Sequence, residues 1–155
     1  MPNEPVHGAP PVVLTFAASD PSGATGMQAD LLTLASMGCH PLSVVTAITV
    51  QDTTGVESVL PLEAEWVTDQ ARCLLEDMPV DAFKIGVLGS VENIAAIAEI
   101  VSDYPDVPLI LDPVNAWTAT LILALTLDIT RPRGWMGPPP GRRGGPPWKR
   151  FELTA

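Results

Sequence analysis

The 155-residue chain is 46% hydrophobic and 17% charged, a balance that fits one well-buried globular domain and excludes a disordered one. Its formal net charge of −10 argues against nucleic acid and against an anionic membrane as partners. No run reaches the roughly 18 apolar residues of a membrane span, and Cys39 and Cys73 fit no metal-ligand spacing, so they read as reduced, buried thiols of a reducing, cytoplasmic compartment.

Residues 1–11 are Pro-rich, without the basic and apolar regions of a signal peptide, and are expected to form a mobile leader. Val12–Ala17 is a continuous apolar, β-branched run, the pattern of a strand buried on both faces. A Gly/Ser/Pro loop follows from Ser19 to Gly26. Met27, Leu31, Leu34, Ala35 and Gly38 then recur at helical spacing, and Thr25 with Gln28 has the form of a capping box. Ser43–Val50 reads as a second buried strand and Val56–Leu60 as a short extra one. Val67, Ala71, Leu74, Leu75 and Met78 mark the inner face of a second helix, with Glu63 and Glu65 in its first turn, where the dipole favours anions. Ala82–Gly86 is a third strand. Ser90 caps a third helix facing inward through Ile94, Ile97, Ala98 and Val101, Pro105 ends that region, and Leu109–Asp112 is a fourth strand.

Strands alternating with helices specify βαβ units and a parallel sheet covered by helices. In such a sheet, ligands gather outside the carboxyl ends of the strands. Ala18–Asp20, Gln51–Asp52, Gly86–Leu88 and Asp112–Val114 are therefore expected on one rim.

Chemistry at that rim is open at several positions. The small residues between Ser19 and Gly26 let backbone N–H groups approach an anion or a polar ligand, or else simply make a turn; the loop is not a Walker A sequence. The Gln51 amide offers a donor and an acceptor that can read an aminopyrimidine edge, or can satisfy loop backbone. Asp30 falls off the apolar stripe of its helix and reads as a solvated carboxylate. Asp112 can hold Mg²⁺ or serve local turn chemistry. The Lys84 ammonium must reach an edge or find a partner. His7 and His40 have no companion that suggests a ligand or base.

The texture changes near residue 115. Residues 1–117 hold 16 acidic residues against Arg72 and Lys84, a net of −14; residues 118–155 hold six basic residues against Asp128 and Glu152, a net of +4. Trp135–Lys149 is low-complexity Pro/Gly/Arg sequence. Residues 115–155 are thus an atypical tail, expected to be disordered. It is either a natural basic tail or the product of a shifted frame or rearranged gene end; the second is favoured because the change follows a strand in mid-fold.

Four ordered blocks carry a resemblance: TFAASDPSGATGMQAD at Thr15–Asp30, VTAITVQDTTGVESV at Val45–Val59, KIGVL at Lys84–Leu88 and LILDPV at Leu109–Val114. The first resembles the AG(S/T)DPSGGAGIQADL opening of the hydroxymethylpyrimidine/phosphomethylpyrimidine kinases, and the match covers about residues 12–114. The resemblance implies a ribokinase-like α/β fold that phosphorylates hydroxymethylpyrimidine and then its monophosphate for thiamine biosynthesis, with ATP as co-substrate, Mg, and often a homodimer. By the same resemblance Gln51 bonds the aminopyrimidine and Asp30 lies on the substrate side. Ala18 and Val87 offer backbone groups, Val114 lines an apolar pocket, and Asp112 stands near metal and phosphates. Ala18 replaces a usual Gly, Ala24-Thr25 a Gly-Ala pair, and Val87 a common Met. The glycine-rich anion hole of the family's later half, Gly-x-Gly-Cys or Gly-x-Gly-Asp, has no counterpart in the chain, so no residue is assigned a catalytic role. The fold is expected to be truncated and incapable of useful transfer. A non-catalytic pyrimidine-binding remnant and a pyridoxal kinase-like activity are the alternatives.

Overall fold

The computed structural model describes residues 8–112. Four strands, β1 (Val12–Ala17), β2 (His40–Val45), β5 (Ala82–Ile85) and β6 (Leu109–Leu111), form a sheet in the order β2-β1-β5-β6, every neighbouring pair parallel. β3 (Ala47–Gln51) and β4 (Val56–Pro61) form a separate antiparallel hairpin. The helices are α1 (Gly26–Ser36), α2 (Ala64–Asp77) and α3 (Val91–Ser102).

Period-2 alternation assigns the faces. Leu14, Phe16, Leu42, Val44, Phe83 and Ile85 point to one side and pack with Val67 and Ala71 of α2 and Ile94, Ile97 and Ile100 of α3. Thr15 and Lys84, paired in register, point to the other side, where α1 lies against β1 and β2. The chain leaves β1 toward β2 across one face and reaches β5 across the opposite face, which makes the β1/β5 boundary the topological switch point. The loops after these two strands diverge and leave a crevice.

Several sequence expectations change. The run Ser43–Val50 is not one strand: Thr46, fully buried, breaks it into β2 and β3. Its N–H donates to Ala17 O at 3.0 Å, the last rung of the β1–β2 ladder, whereas its hydroxyl goes to Val87 O at 2.6 Å and its carbonyl accepts from Leu62 N–H at 2.9 Å, both outside that ladder. The Thr25–Gln28 capping box does not form, because both side chains turn to Asp20 instead. Ser90 does cap α3, accepting from Asn93 N–H at 3.2 Å. The inner face of α3 also takes in Asn93 and Ile100, while Ala98 is only half-buried. On α1 only Met27 is buried among the described residues. Cys39 and Cys73 are free, yet half-buried and exposed respectively rather than buried, because Cys73 lies off the inner face of α2. No helix among the described residues is long and apolar enough to cross a membrane.

Candidate functional site

A cleft of about 850 Å³ opens at the switch point. Ala18, Asp20, Asp30, Gln51, Asp52, Gly86, Val87 and Asp112 all line it, so five of the six residues expected to bind ligand meet in one place. The sixth, Val114, lies outside the described residues, as does His7. Leu88, expected at the rim, is instead turned into the core.

The β1–α1 loop forms one wall, and Asp20 organises it. Its buried carboxylate accepts from Ser22 N (2.8 Å), Ser22 Oγ (2.7 Å), Thr25 N (2.8 Å) and Thr25 Oγ1 (2.9 Å). Burial works to raise the Asp20 pKa, but the hydrogen bonds from the Ser22 and Thr25 side chains, joined by their backbone N–H groups, outweigh it and hold the carboxyl well below the usual range. Asp20 N–H donates to Gln28 Oε1 at 2.7 Å, and Asp20 O accepts from Gly23 N–H at 3.0 Å. With Ala24 N–H on Ser22 Oγ and Met27 N–H on Ala18 O, six N–H groups of the loop and the first turn of α1 find partners within that segment. Of the two readings of this loop, this pattern favours the turn over an anion cradle: the Ser22 and Thr25 amides face the loop's own carboxylate. Gly26, at φ +61°, closes the turn where an added Cβ would stand 2.6 Å from Ala18 O.

The hairpin forms the opposite wall. Ala47, Thr49 and Gln51 alternate toward the loop, and Thr49 Oγ1 donates to Ser19 O at 2.6 Å. That alternation brings Gln51 to the cleft, and a register shift after Val50, which skips Glu57 on β4, sets it opposite Val56. Among the described residues the Gln51 amide makes no hydrogen bond, so it is not spent on loop backbone. Asp52 shapes the hairpin tip: hydrogen bonds from the Thr54 side chain and N–H, then from Gly55 N–H, lower its carboxyl below the ordinary value.

Charge gathers on the floor. Lys84 Nζ donates to Asp30 Oδ2 at 2.8 Å and to Asp112 Oδ2 at 3.1 Å. Asp30 and Lys84 keep only 14% and 18% of their side-chain surface exposed, whereas Asp112 keeps 63%. Asp30 is therefore not a solvated carboxylate but half of a largely buried ion pair across 54 residues of sequence. Helical phase hid this, because the partner comes from β5, on the far side of a crossover. Lys84 is the basic residue among those lining the cleft. Ala18 O and Val87 O each already accept one hydrogen bond, from Met27 N–H and Thr46 Oγ1, and keep a second lone pair beside the backbone N–H groups that these positions can offer a ligand.

A small planar ring with both donors and acceptors suits this arrangement: an uncommitted amide on one wall, backbone at Val87 beside it, and ionic groups on the floor. Mg²⁺ commonly keeps several waters and takes one or two carboxylates beside phosphate oxygens. Asp112, exposed and holding Lys84 through one oxygen, fits that modest demand, although no group of three or more metal-ligating side chains occurs among the described residues.

Comparison with known proteins places this geometry among relatives. The profile of a family described as phosphomethylpyrimidine kinase matches residues 20–126. A hydroxymethylpyrimidine/phosphomethylpyrimidine kinase of Streptomyces coelicolor is 42% identical over 106 residues, covering 68% of this chain and 39% of that protein. The crystal structure of phosphomethylpyrimidine kinase from Clostridium difficile 630 superposes with a TM-score of 0.62 at 41% identity, over 66% of this chain and 44% of that one. A pyridoxal kinase of Staphylococcus aureus, solved with AMP-PCP and pyridoxal, gives a TM-score of 0.67 at 31% identity over 77% and 45%. The chain thus spans about two fifths of the length of such relatives.

Proposed function

The chain belongs to the phosphomethylpyrimidine kinase family, and from that premise we propose that its cleft receives 4-amino-5-hydroxymethyl-2-methylpyrimidine, or its monophosphate, as acceptor of the ATP γ-phosphoryl group in thiamine biosynthesis. The observation that carries the reading is the uncommitted Gln51 amide lining the cleft at the end of β3, where it can donate to a ring nitrogen and accept from the exocyclic amine. Val87 offers backbone beside it, Ala18 closes the wall, and Asp30 holds Lys84 in place. Asp112 would hold Mg²⁺ together with nucleotide phosphates, and the ion's charge would offset the charge carried by those phosphates. Residues 12–114 are the unit that carries this site, flanked by the leader and the atypical tail. A cytoplasmic homodimer completes the proposal.

Calorimetry tests it. The 155-residue chain is expected to bind hydroxymethylpyrimidine more tightly than pyridoxal, the ligand present in one of the superposed kinases. Gln51→Ala is expected to weaken pyrimidine binding by about 10- to 100-fold, the consequence of losing hydrogen bonds inside a desolvated site. Equal binding by parent and variant would remove Gln51 from the site. Tighter pyridoxal binding would move the assignment to the pyridoxal kinase-like reading.

A further inference from the structure

Asn93 lies in the first turn of α3, fully buried and outside the cleft lining. Its Nδ2 faces three backbone carbonyls: Leu88 O at 2.9 Å, Thr46 O at 3.1 Å and Leu62 O at 3.1 Å. These acceptors are not a random set. Thr46 and Leu62 are the two residues at which the β3–β4 hairpin joins the body, and Leu62 N–H itself donates to Thr46 O at 2.9 Å. Leu88 follows Val87 in the β5–α3 loop. One amide therefore ties both feet of the arm that carries Gln51 to the loop that carries Val87.

Two further contacts act on the same joint. Thr46 Oγ1 donates to Val87 O at 2.6 Å. Gly89, at φ +81°, brings its backbone so close that an added Cβ would stand 3.0 Å from Ala47 Cβ and 3.3 Å from Pro61 Cβ, one contact on each strand of the hairpin. Asn93 retains its place although its own Oδ1 finds no partner among the described residues. An apolar side chain would avoid that unpaired oxygen. The donor end, aimed at three carbonyls, is what the position uses.

We propose that Asn93 is a positioning residue that sets the distance and pitch between Gln51 and Val87 in the cleft, a role that rests on the pyrimidine-site reading for its functional consequence. It touches no ligand. Its effect reaches the site through Thr46, Leu62 and Leu88.

The test uses Asn93→Leu, close in shape and without a donor, and Thr46→Val, which removes only the hydroxyl bond to Val87 and serves if the first variant folds poorly. Hydrogen exchange comes first because it needs no ligand. Amides of residues 47–61 and 86–89 should exchange about tenfold faster in either variant, with those of β1 and β5 unchanged. A uniform rise over the whole fold, or no rise in the hairpin, overturns the proposal. Pyrimidine binding then separates positioning from general stability. Either variant should weaken binding about fivefold in the parent background, and by less than about twofold when combined with Gln51→Ala, since a misplaced glutamine cannot matter once it is gone. Additive losses overturn the coupling. Should the parent bind no pyrimidine, the functional reading fails on that result alone, while the exchange pattern still decides whether Asn93 holds the arm.

Discussion

The two walls of the cleft solve opposite problems. The β1–α1 loop satisfies itself: one buried carboxylate collects four hydrogen bonds, and the loop's amides point inward. The β3–β4 hairpin satisfies little beyond its own ladder. It leaves the Gln51 amide open on its inner face and exposes Ile48, Val50 and Leu60 on its outer face. It is held at its feet by Asn93 and Thr46 and at mid-length by the Ser19–Thr49 contact. Rigidity on one side and an uncommitted polar group on the other are complementary. A preorganised wall reduces the ordering cost of binding, and an unpaired amide is available to recognise what binds.

Substitutions can break that contrast, and the largest effect is expected at Gly26. A Cβ there meets a backbone carbonyl rather than a flexible side chain, at a positive φ that alanine adopts poorly. Gly26→Ala should cost about 3 kcal/mol, on the order of 15 °C in thermal midpoint. A loss below about 1 kcal/mol, measured by urea unfolding, would show that the loop yields and is not a rigid wall. Asp20→Ala comes next, with a fall on the order of 10 °C, because the N–H groups of Ser22 and Thr25 lose their acceptor.

Acid sharpens the same point. The Asp20 carboxyl is depressed in the folded chain relative to its ordinary value of 3.8, so its stabilisation is complete above that value and is lost as pH falls through the lower folded value. The stability gap between the parent and Asp20→Asn should be constant from pH 7 to about pH 4 and narrow below it. A gap that stays constant to pH 2 in thermal melts would contradict the internal-anion account of the loop.

Local pattern made much of this legible. A continuous apolar run marked β1, the short stretch around Lys84 marked β5, Ser90 marked the start of α3, and strand–helix alternation placed Ala18, Gln51, Val87 and Asp112 on one rim. What escaped was non-local. Thr46 looks like any β-branched residue within a strand, and only Val87 O and Leu62 N–H, from two other segments, mark it as a break point. Thr25 and Gln28 have the spacing of a capping box, but Asp20 takes both side chains from the helix terminus: its carboxylate accepts from Thr25 Oγ1 and its N–H donates to Gln28 Oε1. Asp30 looked solvated because its partner, Lys84, lies 54 residues away. Asn93 reads as one polar residue on an apolar face, and nothing nearby in sequence names the three carbonyls it serves.

The smallest expected effect lies on the outer face of the hairpin. Ile48 and Leu60 are cross-strand partners that remain exposed, so their contribution is one pair contact and not core burial. Ile48→Thr keeps the β-branch and its strand preference while removing apolar surface, and should change stability by no more than about 0.5 kcal/mol. Gln51→Ala, on the inner face, should be as mild in unfolding experiments even while it weakens binding, since its amide supports nothing in the fold. A loss above about 2 kcal/mol for either variant would mean that the arm is anchored along its length. The contrast between a self-satisfied wall and an arm fixed at its feet and through Ser19 at Ala47 and Thr49 would then have to be abandoned.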